Sequence, residues 1–109
     1  MFTTSRRLAF LSILLLGATP ALAAPITVVL QNHRFTPSVI KVKANQPSLI
    51  KLINKDATAD EFDSPALKVE KVVPGHGSGM IRLRALAPGK YPFMGEYHAD
   101  TAKGVVIAE

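Results

Sequence analysis

The sequence predicts an all-β fold, a Greek-key β-sandwich, preceded by a cleaved signal peptide. Three observations carry that prediction. Six or seven short segments alternate apolar and polar residues at period two, as strands with one buried face do. Turn-forming residues, drawn from 8 Pro and 7 Gly in 109 residues, separate them at the roughly 8–12-residue spacing of sandwiches. No segment of the mature part carries a helical period.

The leader comes first. Arg6 and Arg7 form a basic start, Leu8–Leu16 an apolar core, and Ala21-Leu-Ala23 a small-residue exit. These are the parts of a secretory signal, and the apolar run is too short for the roughly 20 residues of a membrane span. Cleavage after Ala23 leaves residues 24–109 as a single domain that no longer spans a membrane. The expected destination is the periplasm, by the general secretory or the twin-arginine route.

Ile26–Asn32 opens the mature chain by alternating Ile26, Val28 and Leu30 with Thr27, Val29 and Gln31. Thr36-Pro37 breaks the pattern. Val39–Ala44 sets Ile40 and Val42 against Lys41 and Lys43, and Asn45-Gln-Pro47 turns the chain. Ser48–Asn54 is apolar enough to be central. After the polar stretch Lys55–Asp60 come strands at Leu67–Val73 and Met80–Leu86, with Pro74–Gly79 between them. Ala87-Pro-Gly89 turns into Lys90–Met94, and Gly104–Glu109 closes the domain.

Composition narrows the function. There is no Cys, so no disulfide, no thiolate nucleophile and no thiolate metal ligand is available. The net charge is +5. Loss of Arg6 and Arg7 takes Lys+Arg from 13 to 11 against 8 acids, leaving +3. Spread along strands with few aromatics, that charge does not suit a nucleic acid.

The ionisable residues that solvated strand faces do not explain gather in three segments. These are Asn32–Phe35, Asp60–Asp63 and Met94–Asp100. In a Greek key they can meet at one pole, bringing His33, Glu61, Glu96 and His98 together with Met94 beside them. Imidazole mixed with carboxylate suits Cu(II), Fe or Zn, and does not suit Ca(II). His76, between two glycines, reads as a solvated turn residue. Glu70 reads as a strand surface residue paired with lysine, a pairing worth little.

The segment Ala87-Pro-Gly-Lys-Tyr-Pro-Phe-Met-Gly-Glu-Tyr-His98 through Ile107 resembles the C-terminal ligand loop of cupredoxins. Arg34–Ala44 resembles the family's Phe-x-Pro-x-x-Ile-x-Val segment, and Ile53–Glu61 its Asn-x-Asp approach to the first histidine ligand. The resemblance sets Glu61 at that first ligand, Gly95 at the cysteine and Thr101 near the methionine. Only His98 keeps its ligand type. A thiolate centre with its intense colour is therefore not expected.

The combination of Asp60–Ser64, Glu70–Val73 and Gly95–His98 resembles a cysteine-lacking periplasmic branch that accompanies bacterial high-affinity iron permeases. That likeness implies metal ligands at His33 and Glu61, and more weakly at Glu70. It implies copper, iron or both as the metal, and an inner-membrane iron permease with other periplasmic iron-uptake components as partners. The implied role is to bind or oxidise Fe(II) for the permease, a ferroxidase-type chemistry. The alternative is a copper carrier or copper-resistance protein with no iron role.

Overall fold

The computed structural model describes residues 24–109; the leader expected at 1–23 lies outside them. The described chain forms nine strands. They are β1 (Ile26–Gln31), β2 (Arg34–Thr36), β3 (Val39–Val42), β4 (Ser48–Asn54), β5 (Asp60–Ser64), β6 (Val69–Val73), β7 (Ser78–Leu83), β8 (Gly89–Gly95) and β9 (Lys103–Ala108). A single 3-10 turn, Glu96–His98, follows β8.

One sheet has the order β2-β1-β4-β7 and the other β3-β9-β8-β5-β6. β1 pairs with β4, and β3 with β9, in parallel; the remaining ladders are antiparallel. The chain leaves the first sheet at the end of β2 through a cis Thr36–Pro37 bond and enters the second at β3. Among the described residues no helix is long and apolar enough to cross a membrane.

The period-two pattern places the core. Val28 and Leu30 from β1, Ile50 and Leu52 from β4, and Ile81 and Leu83 from β7 point inward from one sheet. Ile40, Phe62, Phe93 and Val106 meet them from the other. Phe93 stacks on Phe62 at 4.7 Å between centroids and meets Phe35 edge-on at 5.1 Å, geometries that the ring quadrupole favours. Gly104 makes room for this cluster, since a Cβ there would run into the Phe93 ring and the Ser38 carbonyl. At the β7–β8 corner the Tyr91 hydroxyl donates to the Ala87 carbonyl at 2.7 Å, pinning the turn that Pro88 and Gly89 begin.

Two strands differ from the sequence reading. Asp60–Ser64, read as an inter-strand segment, is β5, bonded to both β6 and β8. Its alternation is hidden because the inward positions are Asp60, Phe62 and Ser64, two of them polar. Both polar side chains are satisfied. Ser64 donates to the Pro92 carbonyl and accepts from the Leu67 N–H, and Asp60 accepts from the backbone N–H groups of Glu61 and Tyr97. Arg34–Thr36 is the short β2, which folds back on β1 across the two-residue turn Asn32-His33.

Candidate metal centre

The turn at Asn32-His33 shapes one pole of the sandwich. Both residues have positive φ, 53° and 55°, as a type I′ hairpin turn demands. Glycine is the usual second residue there, because an L side chain in that region costs roughly 1–2 kcal/mol. Here His33 takes it. The Asp56 carboxylate holds the turn by accepting the Asn32 N–H at 2.7 Å and the His33 N–H at 2.9 Å. Asp56 is itself held, since its own N–H donates to the Asn54 side chain at 3.0 Å. Asn54, 1 % exposed, also donates to the carbonyls of Thr58 and Val73. Burial pushes the Asp56 carboxyl upward; the two N–H donors and the His33 and His98 rings outweigh it and hold it below the usual carboxylate range.

The second histidine arrives from the other sheet. β8 ends at Gly95, and the 3-10 turn carries His98 back over the pole. Its ring lies flat on that of His33, with centroids 3.5 Å apart and planes 18° from parallel. His98 Nδ1 is 2.9 Å from Asp60 Oδ2. The other Asp60 oxygen accepts the backbone N–H groups of Glu61 at 2.8 Å and Tyr97 at 3.1 Å. A carboxylate accepting on both oxygens makes Nδ1 the donor, which leaves the lone pair of His98 on Nε2. This is the arrangement by which a carboxylate orients a metal-binding imidazole. The Asp60 side chain is 3 % exposed, His98 25 % and His33 42 %, so the carboxylate is sealed in and the rings face solvent.

Glu61 and Glu96 lie to one side of this pair. β5 alternates, so Asp60 points inward to His98 while Glu61 points to the outer face of its sheet. There Glu61, Asp63 and Glu70 bring carboxylate oxygens within 4.8 Å of one another, because Asp63 and Glu70 face each other across the ladder. The Tyr97 hydroxyl donates to Glu61 Oε2 at 3.5 Å. Met94, also on the outer face and 36 % exposed, sits opposite Asp63. The structure thus joins His33 to His98 and gathers Glu61, Glu96 and Glu70 separately. Its carboxylate partner for His98 is Asp60, one residue before the position chosen from sequence. The signal for it was the strand period continued through Phe62.

The Glu61 carboxyl is pushed above its usual range, by burial first and then by the Glu96, Glu70 and Asp63 carboxyls around it. A raised carboxyl destabilises the fold at neutral pH, and that effect fades as pH falls through the raised value. Glu61→Gln should therefore be more stable than the parent at pH 7 and equal to it near pH 3. Chemical denaturation at the two pH values tests this; a variant less stable at pH 7 would show the carboxylate to be favourably held.

The donor set admits one kind of copper site and excludes another. A Cβ at Gly95 would lie 2.6 Å from Asp60 Oδ2 and 2.8 Å from the Ala102 Cβ. A cysteine cannot stand there beside the buried Asp60, so the carboxylate fills the space a thiolate would need. Two imidazoles with flanking carboxylates remain, a set that suits Cu(II). His33 and His98 would hold the ion, with Asp60 orienting the His98 ring and Asp56 fixing the backbone of His33.

A two-sheet sandwich with a histidine-bearing loop after its penultimate strand defines the class, and the comparisons agree. The cupredoxin-like domain model matches residues 7–108, and the chain belongs to that family. An apo copper-binding protein solved by NMR is similar in fold, with a TM-score of 0.68 and 22% identity over 78% of this chain and 86% of that one. A Cu(I) mutant of amicyanin superposes with a TM-score of 0.62 and 18% identity, covering 84% of this chain and 89% of amicyanin. In sequence the chain is 37% identical over 82 residues to the uncharacterized protein RP394 of Rickettsia prowazekii (strain Madrid E). That match covers 75% of this chain and 66% of the relative's length.

Proposed function

We propose that this is an exported copper-binding protein that holds Cu(II) on the His33 and His98 imidazoles without a thiolate. The observation that carries it is the placement of His33. Asp56 holds its backbone N–H, and its ring lies on a histidine that the buried Asp60 orients, so two imidazoles from opposite sheets meet at one solvent-facing pole. A cupredoxin-like fold with copper-binding neighbours supports the metal. The leader pattern at 1–23 supports export to the periplasm.

The test is a Cu(II) titration of the metal-free protein against a competing chelator, followed by optical spectroscopy. One Cu(II) per chain and only weak d–d absorption are expected. An intense band near 600 nm, the mark of a copper–thiolate bond, would overturn the site, as would failure to bind copper above the level of a His33→Gly, His98→Ala double variant.

A second reading has one observation in its favour. The oxygens of Glu61, Asp63 and Glu70 offer hard donors, which suit iron better than copper. On that reading the protein hands iron to an inner-membrane permease, with copper at the histidines as the one-electron acceptor for Fe(II). Stoichiometric loss of Fe(II) with reduction of bound Cu(II) would separate it from a plain copper carrier.

A further inference from the structure

The outer face of the β3-β9-β8-β5-β6 sheet has a charge pattern that the histidine pair does not use. Register fixes what lies on it. Lys41, Ile107 and Lys90 form one row across β3, β9 and β8, and Val39, Val105 and Pro92 the next. Lys103, Met94, Asp63 and Glu70 form a third across β9, β8, β5 and β6. Glu61 and Val72 follow on β5 and β6. One corner is therefore basic and the opposite corner acidic. Lys41 is held only by an exposed 3.8 Å contact with Glu109. Apolar side chains lie open beside these charges: Met94, 36 % exposed, on the central strand β8, and Val39 and Val72, 48 % and 51 % exposed, on the edge strands β3 and β6.

A face of this kind is complementary to itself. A two-fold axis lying in the face, perpendicular to the line from basic to acidic corner, sets each lysine corner over the other copy's carboxylates. Isologous contacts need a patch of this sort, since each element must meet its complement on an identical surface. The same contact answers the crowding of Glu61, Asp63 and Glu70, which no cation within the described chain is seen to neutralise. A partner of uniform charge would match one corner and be repelled by the other.

We propose that this sheet face is a dimer interface between two copies of the chain, with Lys90 and Lys41 of one copy facing Glu70 and Glu61 of the other. The proposal does not depend on copper, because the histidine pole lies at the sandwich end and outside the face.

Sedimentation of the protein expressed from its full-length sequence tests it, over a concentration series at low and high salt. The wild type should dimerise, more weakly as salt rises. Lys90→Glu and Glu70→Lys, each confirmed folded by circular dichroism, should weaken association at least ~10-fold, since like charges brought together across an interface are costly. The double reversal, Lys90→Glu with Glu70→Lys, should recover most of the loss. A protein that stays monomeric to about 1 mM overturns the proposal. So does a dimer that neither reversal weakens, or one that the double reversal weakens as much as the two singles together.

Discussion

His98→Ala should lower Cu(II) affinity by at least ~100-fold in a competitive chelator titration. Loss of an outer-shell partner costs roughly 10–100-fold, and loss of a ligand costs more. Asp60→Asn should fall within the outer-shell range, because it keeps the shape but weakens the hold on Nδ1. His33→Gly is the more informative change. Glycine relieves the positive-φ turn, so the variant should gain about 1 kcal/mol of stability while losing at least ~10-fold in copper affinity. Those opposite signs separate a residue kept for binding from one kept for packing. If His33→Gly were less stable and bound copper unchanged, the ring would be a structural element and the centre would reduce to His98. His76→Ala should leave copper affinity unaltered; His76 is exposed, on a separate turn, and contributes a backbone N–H to the Asp56 carbonyl at 2.9 Å.

Phe62→Ala should destabilise the domain by about 3–5 kcal/mol, as removal of a fully buried aromatic ring does. Phe62 is 1 % exposed and touches both other rings of the cluster, Phe93 at 4.7 Å and Phe35 at 6.1 Å. For a domain whose stability is of order 5–15 kcal/mol, that is a large share of the total. The ring also underlies the pole. Phe62 lies two residues from Asp60 on the inward side of β5, and Phe35 lies two residues beyond His33. Copper binding should weaken along with stability. Phe62→Leu fills most of the volume and should cost much less. Denaturant midpoints for the pair measure this; equal, small losses would mean that the cluster collapses around the gap.

The sandwich, seven of its nine strands at most and the candidacy of His33 and His98 were legible in the sequence. Burial on one face imposes period two, and the turn residues mark where strands stop. The closing segment from Pro88 to His98 carried enough of the family's pattern to place that histidine. The absence of cysteine settled the exclusion of a thiolate centre without any structure.

What the sequence did not decide was which carboxylate belongs to which histidine. Asp60 and Glu61 are adjacent acids, and only membership of a strand assigns them to opposite faces. That strand is hard to see because Asp60 and Ser64 point inward. Their burial is tolerable only through hydrogen bonds, and of those partners only Leu67 is local to Ser64; Tyr97, His98 and Pro92 lie far along the chain. The same holds for His33. Its strained turn and its place on the His98 ring depend on Asp56, more than twenty residues away, which loop closure alone brings beneath it. Local pattern determines which face of a strand is buried; long-range pairing decides what a buried polar group is buried against, and here that pairing made the site.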